Sequence, residues 1–237
     1  MSTKIEVLAK ARGVTRLCHF TPSRNLQHIA AGKVGILATK ALEAAERRAF
    51  NATDLRRFDG KPDYVCCSVE YPNAWYLDQA RGNELLFPDW VILFIRPDYL
   101  WTTEALFCPR NAAASYGGHL RSGQDGFEAL YADRITGTGG MTRMRSPTHL
   151  PACPTDQQAE VLIPDRILLS DVLSVAVCSP EQAKTERVRL AINGAHPDLF
   201  TFTVAPDLFS KYQLSAGITR GIRPGERTFV PEPASGG

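Results

Sequence analysis

The sequence predicts an α+β fold. Strand-like and helix-like segments mix along the chain without strict β–α alternation, which argues against a doubly wound parallel sheet. The run Trp90-Val91-Ile92-Leu93-Phe94-Ile95 is apolar throughout, the pattern of a strand buried on both faces. No GxGxxG follows a strand, and Gly137-Thr138-Gly139-Gly140 does not match a P-loop, so two common nucleotide-binding designs are disfavoured.

The 237 residues suit one domain with a real core. Residues 1–237 read as that single domain, with 1–13 a mobile or loosely docked lead-in and 221–237 a frayed, flexible tail rich in Pro and Gly. Val14 to Phe20 reads as the first strand, followed by a turn in which Ser23 suits a helix N-cap. Leu26, Ile29 and Ala30 fall at helical spacing, and Gly32 suits the end of that helix. Lys40 to Phe50 has helix-forming composition, and 51–63 reads as a basic loop. Tyr64 to Tyr71 reads as a strand with Val65, Cys67, Val69 and Tyr71 on one face and Ser68 and Glu70 on the other. Pro72 suits the first turn of a helix reaching about Arg81. Residues 108–125 read as a functional or mobile loop, Phe127 to Ile135 as a helix and 137–154 as a long irregular stretch, functional or disordered. Glu160 to Ile163 and Leu173 to Val177 read as strands. Pro180 to Asn193 reads as a helix closed by Gly194, and Pro206 to about Gln213 as a last short one.

The formal net charge of +2 neither demands nor excludes nucleic acid, since a local basic patch is averaged away. No apolar run approaches the roughly 20 residues of a membrane helix, and no signal-peptide pattern is visible, so the expectation is a cytoplasmic protein without a membrane partner. Cys18, Cys66, Cys67, Cys108, Cys153 and Cys178 contain no CxxC pair and read as reduced thiols. A metal site built from His119, Cys108 and Cys153 has no local spacing to support it.

Two distant segments carry the functional signal. Leu17-Cys18-His19-Phe20-Thr21-Pro22-Ser23-Arg24-Asn25-Leu26 reads as a strand that ends in a polar turn and opens a helix. Gln157-Gln158-Ala159-Glu160-Val161-Leu162-Ile163 reads as an apolar strand with one carboxylate at its head. His19 and Thr21 point the same way, as do Gln158 and Glu160. Taken singly, the first reads more readily as a satisfied core histidine with a capping turn and the second as a solvated strand end. Together, with Gly32-Lys33-Val34-Gly35-Ile36-Leu37 and with Arg56-Arg57 ahead of Asp63-Tyr64-Val65, they resemble the DarT family, toxins that attach ADP-ribose to bases of single-stranded DNA. The resemblance covers most of residues 14–180.

The resemblance implies an ADP-ribosyltransferase-like fold, with split central β-sheets flanked by helices around a cleft for NAD. NAD is the implied co-substrate, and no metal is required. Loss of nicotinamide gives the ribose oxocarbenium character, which a carboxylate stabilises. Glu160 is the implied catalytic carboxylate, with Arg57 or Arg56 at the cofactor or the acceptor base; Arg47 and Arg48 stay open. His19, Thr21, Asn25, Leu37 and Ser68 are implied to hold the cofactor. Gln158 is implied to lie near the acceptor. Tyr116 and His119 suit stacking on a base, and Arg121, Arg143 and Arg145 suit phosphates. One departure is that Cys66-Cys67-Ser68-Val69-Glu70-Tyr71-Pro72-Asn73 stands where many relatives have an aromatic-rich strand and an Asn-Pro-Arg-like turn, so the acceptor base stays open. The implied role is a toxin paired with a macrodomain antitoxin. The alternatives are transfer to RNA, transfer to protein, or a non-catalytic NAD- or nucleic-acid-binding module.

Overall fold

The computed structural model describes residues 3–31, 34–42, 57–84, 87–137 and 140–231. Its strands are β1 Leu17–Pro22, β2 Ile36–Leu37, β3 Tyr64–Val69, β4 Trp90–Ile95, β5 Leu106–Cys108, β6 Arg121–Ser122, β7 Arg134–Thr136, β8 Thr142–Met144, β9 Glu160–Pro164, β10 Arg166–Ile167, β11 Val172–Val177, β12 Phe202–Val204 and β13 Arg227–Thr228. The helices are α1 Lys4–Arg12, α2 Leu26–Ala30, α3 Ala74–Asn83, α4 Tyr99–Thr102, α5 Gly123–Ala129, α6 Pro180–Ile192 and α7 Lys211–Arg220.

β4 organises the molecule. Val91, Leu93 and Ile95 enter one hydrophobic core, and Trp90, Ile92 and Phe94 enter the other. A strand apolar at every position suits a sheet covered on both faces, and each fully buried aliphatic side chain there stabilises the fold by roughly 1.5–3 kcal/mol. Around β4 runs a nine-stranded sheet in the order β13-β12-β11-β4-β1-β3-β9-β5-β6, flanked by helices. β1 pairs with β4 along its whole length, from Leu17↔Ile95 to Pro22↔Trp90. Its pairing with β3 stops after Leu17↔Val69 and Cys18↔Ser68. β3 keeps its partner β9 from Tyr64↔Pro164 to Cys67↔Val161. The sheet therefore divides between β1 and β3, as the split-sheet reading expects.

Several local expectations are corrected. The lead-in is a docked helix: Thr3 caps α1 by accepting from the Glu6 N–H at 3.1 Å, and Ala9 is fully buried. Ser23 does not cap α2; its Oγ accepts from Arg189 Nη1 at 3.0 Å, and the helix is entered through a 3-10 turn. Tyr71 leaves the face of Val65, Cys67 and Val69 because Glu70 adopts φ +64, which breaks the strand alternation. α3 starts at Ala74 rather than at Pro72, with Asn73 Oδ1 accepting from the Tyr76 N–H at 3.0 Å. The helix expected from Phe127 to Ile135 ends at Ala129; Ile135 belongs to a hairpin opposite Arg143, where cross-strand pairing overrides local helix preference. Pro206–Phe209 is a 3-10 turn, and the last helix is α7. Part of the tail is docked too: Glu226 accepts from Arg16 Nη1 at 2.7 Å, and β13 pairs with β12.

Gly32, and the helix expected to Phe50 beyond residue 42, lie outside the described residues. Among the described residues no helix is long and apolar enough to cross a membrane.

Candidate active site

The split creates the site. Where β1 parts from β3, a cavity of about 490 Å³ opens between them, a size usual for ligand clefts. Its walls include His19, Thr21 and Asn25 from β1 and the turn after it, Leu37 from β2, Arg57, Ser68 from β3 and Glu160 from β9. Gly35, ahead of β2, adopts φ +81, and a Cβ there would collide with the Ile167 carbonyl of β10; only glycine lets this wall close.

His19 bridges the split. Its Nδ1 lies 2.8 Å from the Cys66 carbonyl oxygen. A carbonyl only accepts, so Nδ1 carries the proton, and in the neutral ring Nε2 is an acceptor. Burial pushes the His19 pKa below its ordinary 6.5; the Cys66 carbonyl opposes this shift and nearby Arg57 adds to it. The sign follows from linkage. Below pH 6.5 the unfolded chain takes up a proton that folded His19 refuses, so this part of the stability is full above 6.5 and is lost as pH falls toward the folded pKa. Buried His149 is shifted down as well, by burial and then by Arg145, and adds the same sign. We expect the thermal midpoint to drop between pH 6.5 and about pH 5, and His19→Asn, which keeps the donor but cannot titrate, to lessen that drop. Equal slopes for the two proteins would remove His19 as the cause.

On the same lip, Asn25 Nδ2 donates to Thr21 Oγ1 at 2.7 Å. Asn25 Oδ1 is buried without a protein partner. A buried acceptor without a donor is costly, and a ligand hydroxyl or amide offers one. The opposite wall carries Arg57, which is paired twice with Asp59, Nε to Oδ1 at 3.1 Å and Nη2 to Oδ2 at 2.8 Å, and donates from Nη1 to the Tyr64 carbonyl at 2.5 Å. The pair is almost wholly buried, which fixes a cation in the wall. Arg56, Arg47 and Arg48 lie outside the described residues.

Glu160 is only 8% exposed. Its Oε2 accepts from the Ala112 N–H at 3.0 Å, and β5 pairs Cys108 with Glu160 on the other side. The β3–β9 register that ends at Cys67↔Val161 brings Ser68 beside Glu160, and Ser68 Oγ accepts from the Asn73 N–H at 3.1 Å.

The acceptor-side candidates are more scattered. Gln158 is half-buried ahead of β9, its N–H donating to Asp156 Oδ1 at 3.0 Å, and it does not line the cavity. Tyr116 is 81% exposed and meets Phe58, a cavity-lining ring, edge to face with centroids 6.5 Å apart. Gly117 makes that contact possible: it adopts φ +79, and a Cβ would lie 2.5 Å from the Asp59 carbonyl oxygen. His119 is half-buried in the next turn; Arg121 and Arg143 are exposed. Arg145 departs from its expected role. Its guanidinium turns back to donate to the carbonyls of Cys153 at 2.9 Å and Leu150 at 3.1 Å, bracing a turn in which the Leu150 carbonyl also accepts from the Cys153 N–H.

Sequence reasoning missed Asp59, Phe58, Asn111 and Asn73 as cavity residues. Only Asn73 left a signal, an Asn just ahead of a helical segment. Among the described residues no cluster of three His, Cys, Asp or Glu side chains could hold a metal.

A sheet that splits over a cavity, with a His-x-Thr strand on one lip and a buried glutamate heading a strand beyond the other, is the architecture of an ADP-ribosyltransferase. Residues 18–210 match the family model described as DarT, ssDNA thymidine ADP-ribosyltransferase, and the chain belongs to that family.

Similar solved structures include Thermus sp. 2.9 DarT in complex with NAD+, at 16% identity over 78% of this chain and 97% of that one, with a TM-score of 0.49. The same Thermus protein in complex with ADP-ribosylated ssDNA matches at 14% identity, 79% and 97% coverage and a TM-score of 0.49. Thermosipho africanus DarTG in complex with ADP-ribose matches at 12% identity over 82% of this chain and 51% of that one, with a TM-score of 0.48. No curated protein matches the chain.

Proposed function

We propose that this protein transfers ADP-ribose from NAD to a thymine base of single-stranded DNA. The observation that carries this reading is Glu160, buried at the head of β9 and facing the same cavity as His19, Thr21 and Asn25. NAD supplies an activated ADP-ribose: when its C1′–nicotinamide bond breaks, the electron pair goes to the cationic ring nitrogen and nicotinamide leaves neutral.

The protein does the rest. His19 Nε2 and Asn25 Oδ1 accept from ribose hydroxyls or the carboxamide. Arg57, held by Asp59, offers positive charge to a phosphate. Leu37 and Ser68 complete the walls. Of the two carboxylates lining the cavity among the described residues, Asp59 is committed to Arg57. Glu160 therefore stabilises the positive charge growing on the ribose and takes up the proton the acceptor releases. N3 is the one ring nitrogen of thymine not bonded to deoxyribose, so the new bond joins it to C1′. In a duplex N3 is engaged by the opposing base, which favours an unpaired acceptor. Tyr116, His119, Gln158 and Arg143 are the side chains assigned to the DNA.

A cytoplasmic toxin kept in check by a macrodomain antitoxin is the role that the family resemblance implies. Labelled NAD incubated separately with single-stranded DNA, duplex DNA, RNA and cell protein tests the reading. Label is expected on single-stranded DNA; label on RNA or protein alone would reassign the acceptor, and no label anywhere would favour a binding module.

A further inference from the structure

The β3–α3 junction holds an unused donor. Asn73 is 1% exposed and lines the cavity, yet its Nδ2 has no partner. Its orientation is not free: Oδ1 accepts from the Tyr76 N–H as the cap of α3, so the amide must turn its N–H groups the other way. A buried donor left unpaired is destabilising, and the arrangement makes sense when a ligand supplies an acceptor.

The position selects the ligand. In the sheet, β9 lies between β3 and β5. Asn73 follows β3, and its N–H is held by Ser68 beside Glu160. Asn111 follows β5, one residue from the Ala112 N–H that holds Glu160, and also lines the cavity. Asn111 repeats the device: its Oδ1 accepts from the Ala113 N–H at 2.9 Å, which leaves its Nδ2 as a donor. Two amides, each with its oxygen committed to backbone, thus come from both neighbours of the strand that carries Glu160. Across the split, His19, Thr21 and Asn25 already offer contacts to the dinucleotide.

We propose that Asn73 is a specificity-determining residue that donates to a carbonyl oxygen of the acceptor base, with Asn111 as the second donor. The inference rests on the DNA-modifying function proposed above. Thymine carries carbonyls at O2 and O4, on either side of N3, and two fixed donors match them. Cytosine presents an amino group in place of O4, so a fixed donor there meets another donor and the base is rejected.

The test compares the parent with Asn73→Ser and Asn73→Asp on oligonucleotides carrying a single thymine, uracil or cytosine. Both variants keep a capping acceptor for α3. The expected result is a fall of about 10-fold to 100-fold in kcat/KM for the thymine and uracil oligonucleotides, with thymine-over-cytosine preference reduced by a similar factor. The KM for NAD should stay within about twofold, which also reports that the cavity is folded. Unchanged base preference, or a raised KM for NAD that accounts for the loss, would overturn the inference and make Asn73 structural or a cofactor contact. A parent that modifies no oligonucleotide would overturn the DNA reading itself, and a parent that modifies thymine as well as either variant does would overturn this inference alone.

Discussion

Glu160→Gln is expected to lower ADP-ribosyl transfer to single-stranded DNA by about 10³-fold, equivalent to about 4 kcal/mol of transition-state stabilisation. Glutamine keeps an oxygen for the Ala112 N–H, so the head of β9 should hold its shape. What is lost is negative charge, and that charge matters most when the ribose turns positive and when N3 gives up its proton. NAD affinity should therefore change by less than about threefold, because the dinucleotide contacts assigned to the β1 lip remain. Calorimetric NAD binding beside single-turnover transfer separates the two effects. Full activity in the Gln variant would remove Glu160 from the chemistry; a large loss of NAD affinity would make it a binding residue instead.

Removing Arg57 should be the most destabilising change in the cavity wall. Arg57 and Asp59 form a buried, doubly hydrogen-bonded pair, and Arg57 also satisfies the Tyr64 carbonyl. Arg57→Ala leaves Asp59 charged and buried, a situation that costs about 3–5 kcal/mol. For a chain of this size that corresponds to a fall in thermal midpoint of roughly 10 °C. The double variant Arg57→Met with Asp59→Leu removes both charges and should recover much of the stability but none of the transfer activity. An unchanged midpoint in Arg57→Ala would show that the pair is not buried in solution. An active double variant would sink the role proposed for Arg57 at the cofactor.

Much of this site is legible in local pattern. His19 and Thr21 stand two apart on a strand end, so they face one way whatever surrounds them, and Asn25 follows within a turn. Glu160 interrupts apolar sequence at a strand head, where a carboxylate is conspicuous. β4 is legible because six apolar residues in a row have no other comfortable fate. Other features are not local. Leu106–Cys108 is a strand only because β9 and β6 flank it. Arg145 has the composition of a phosphate contact, and only the folded chain brings its guanidinium onto the carbonyls of the 150–153 turn. Asp59 gains meaning from Arg57 and from the Gly117 turn that rests on its carbonyl.

By itself the sequence determined the α+β class, the doubly buried strand and the polar side chains that suit the chemistry, because periodicity of two or 3.6 residues sets which neighbours share a face. Only the tertiary structure decided that β1 leaves β3 after two residue pairs, that His19 spans the gap and that Asn73 and Asn111 flank the strand of Glu160. Strand order and register arise from contacts between residues tens of positions apart, and a local pattern carries no record of which distant partner a strand edge will keep or give up.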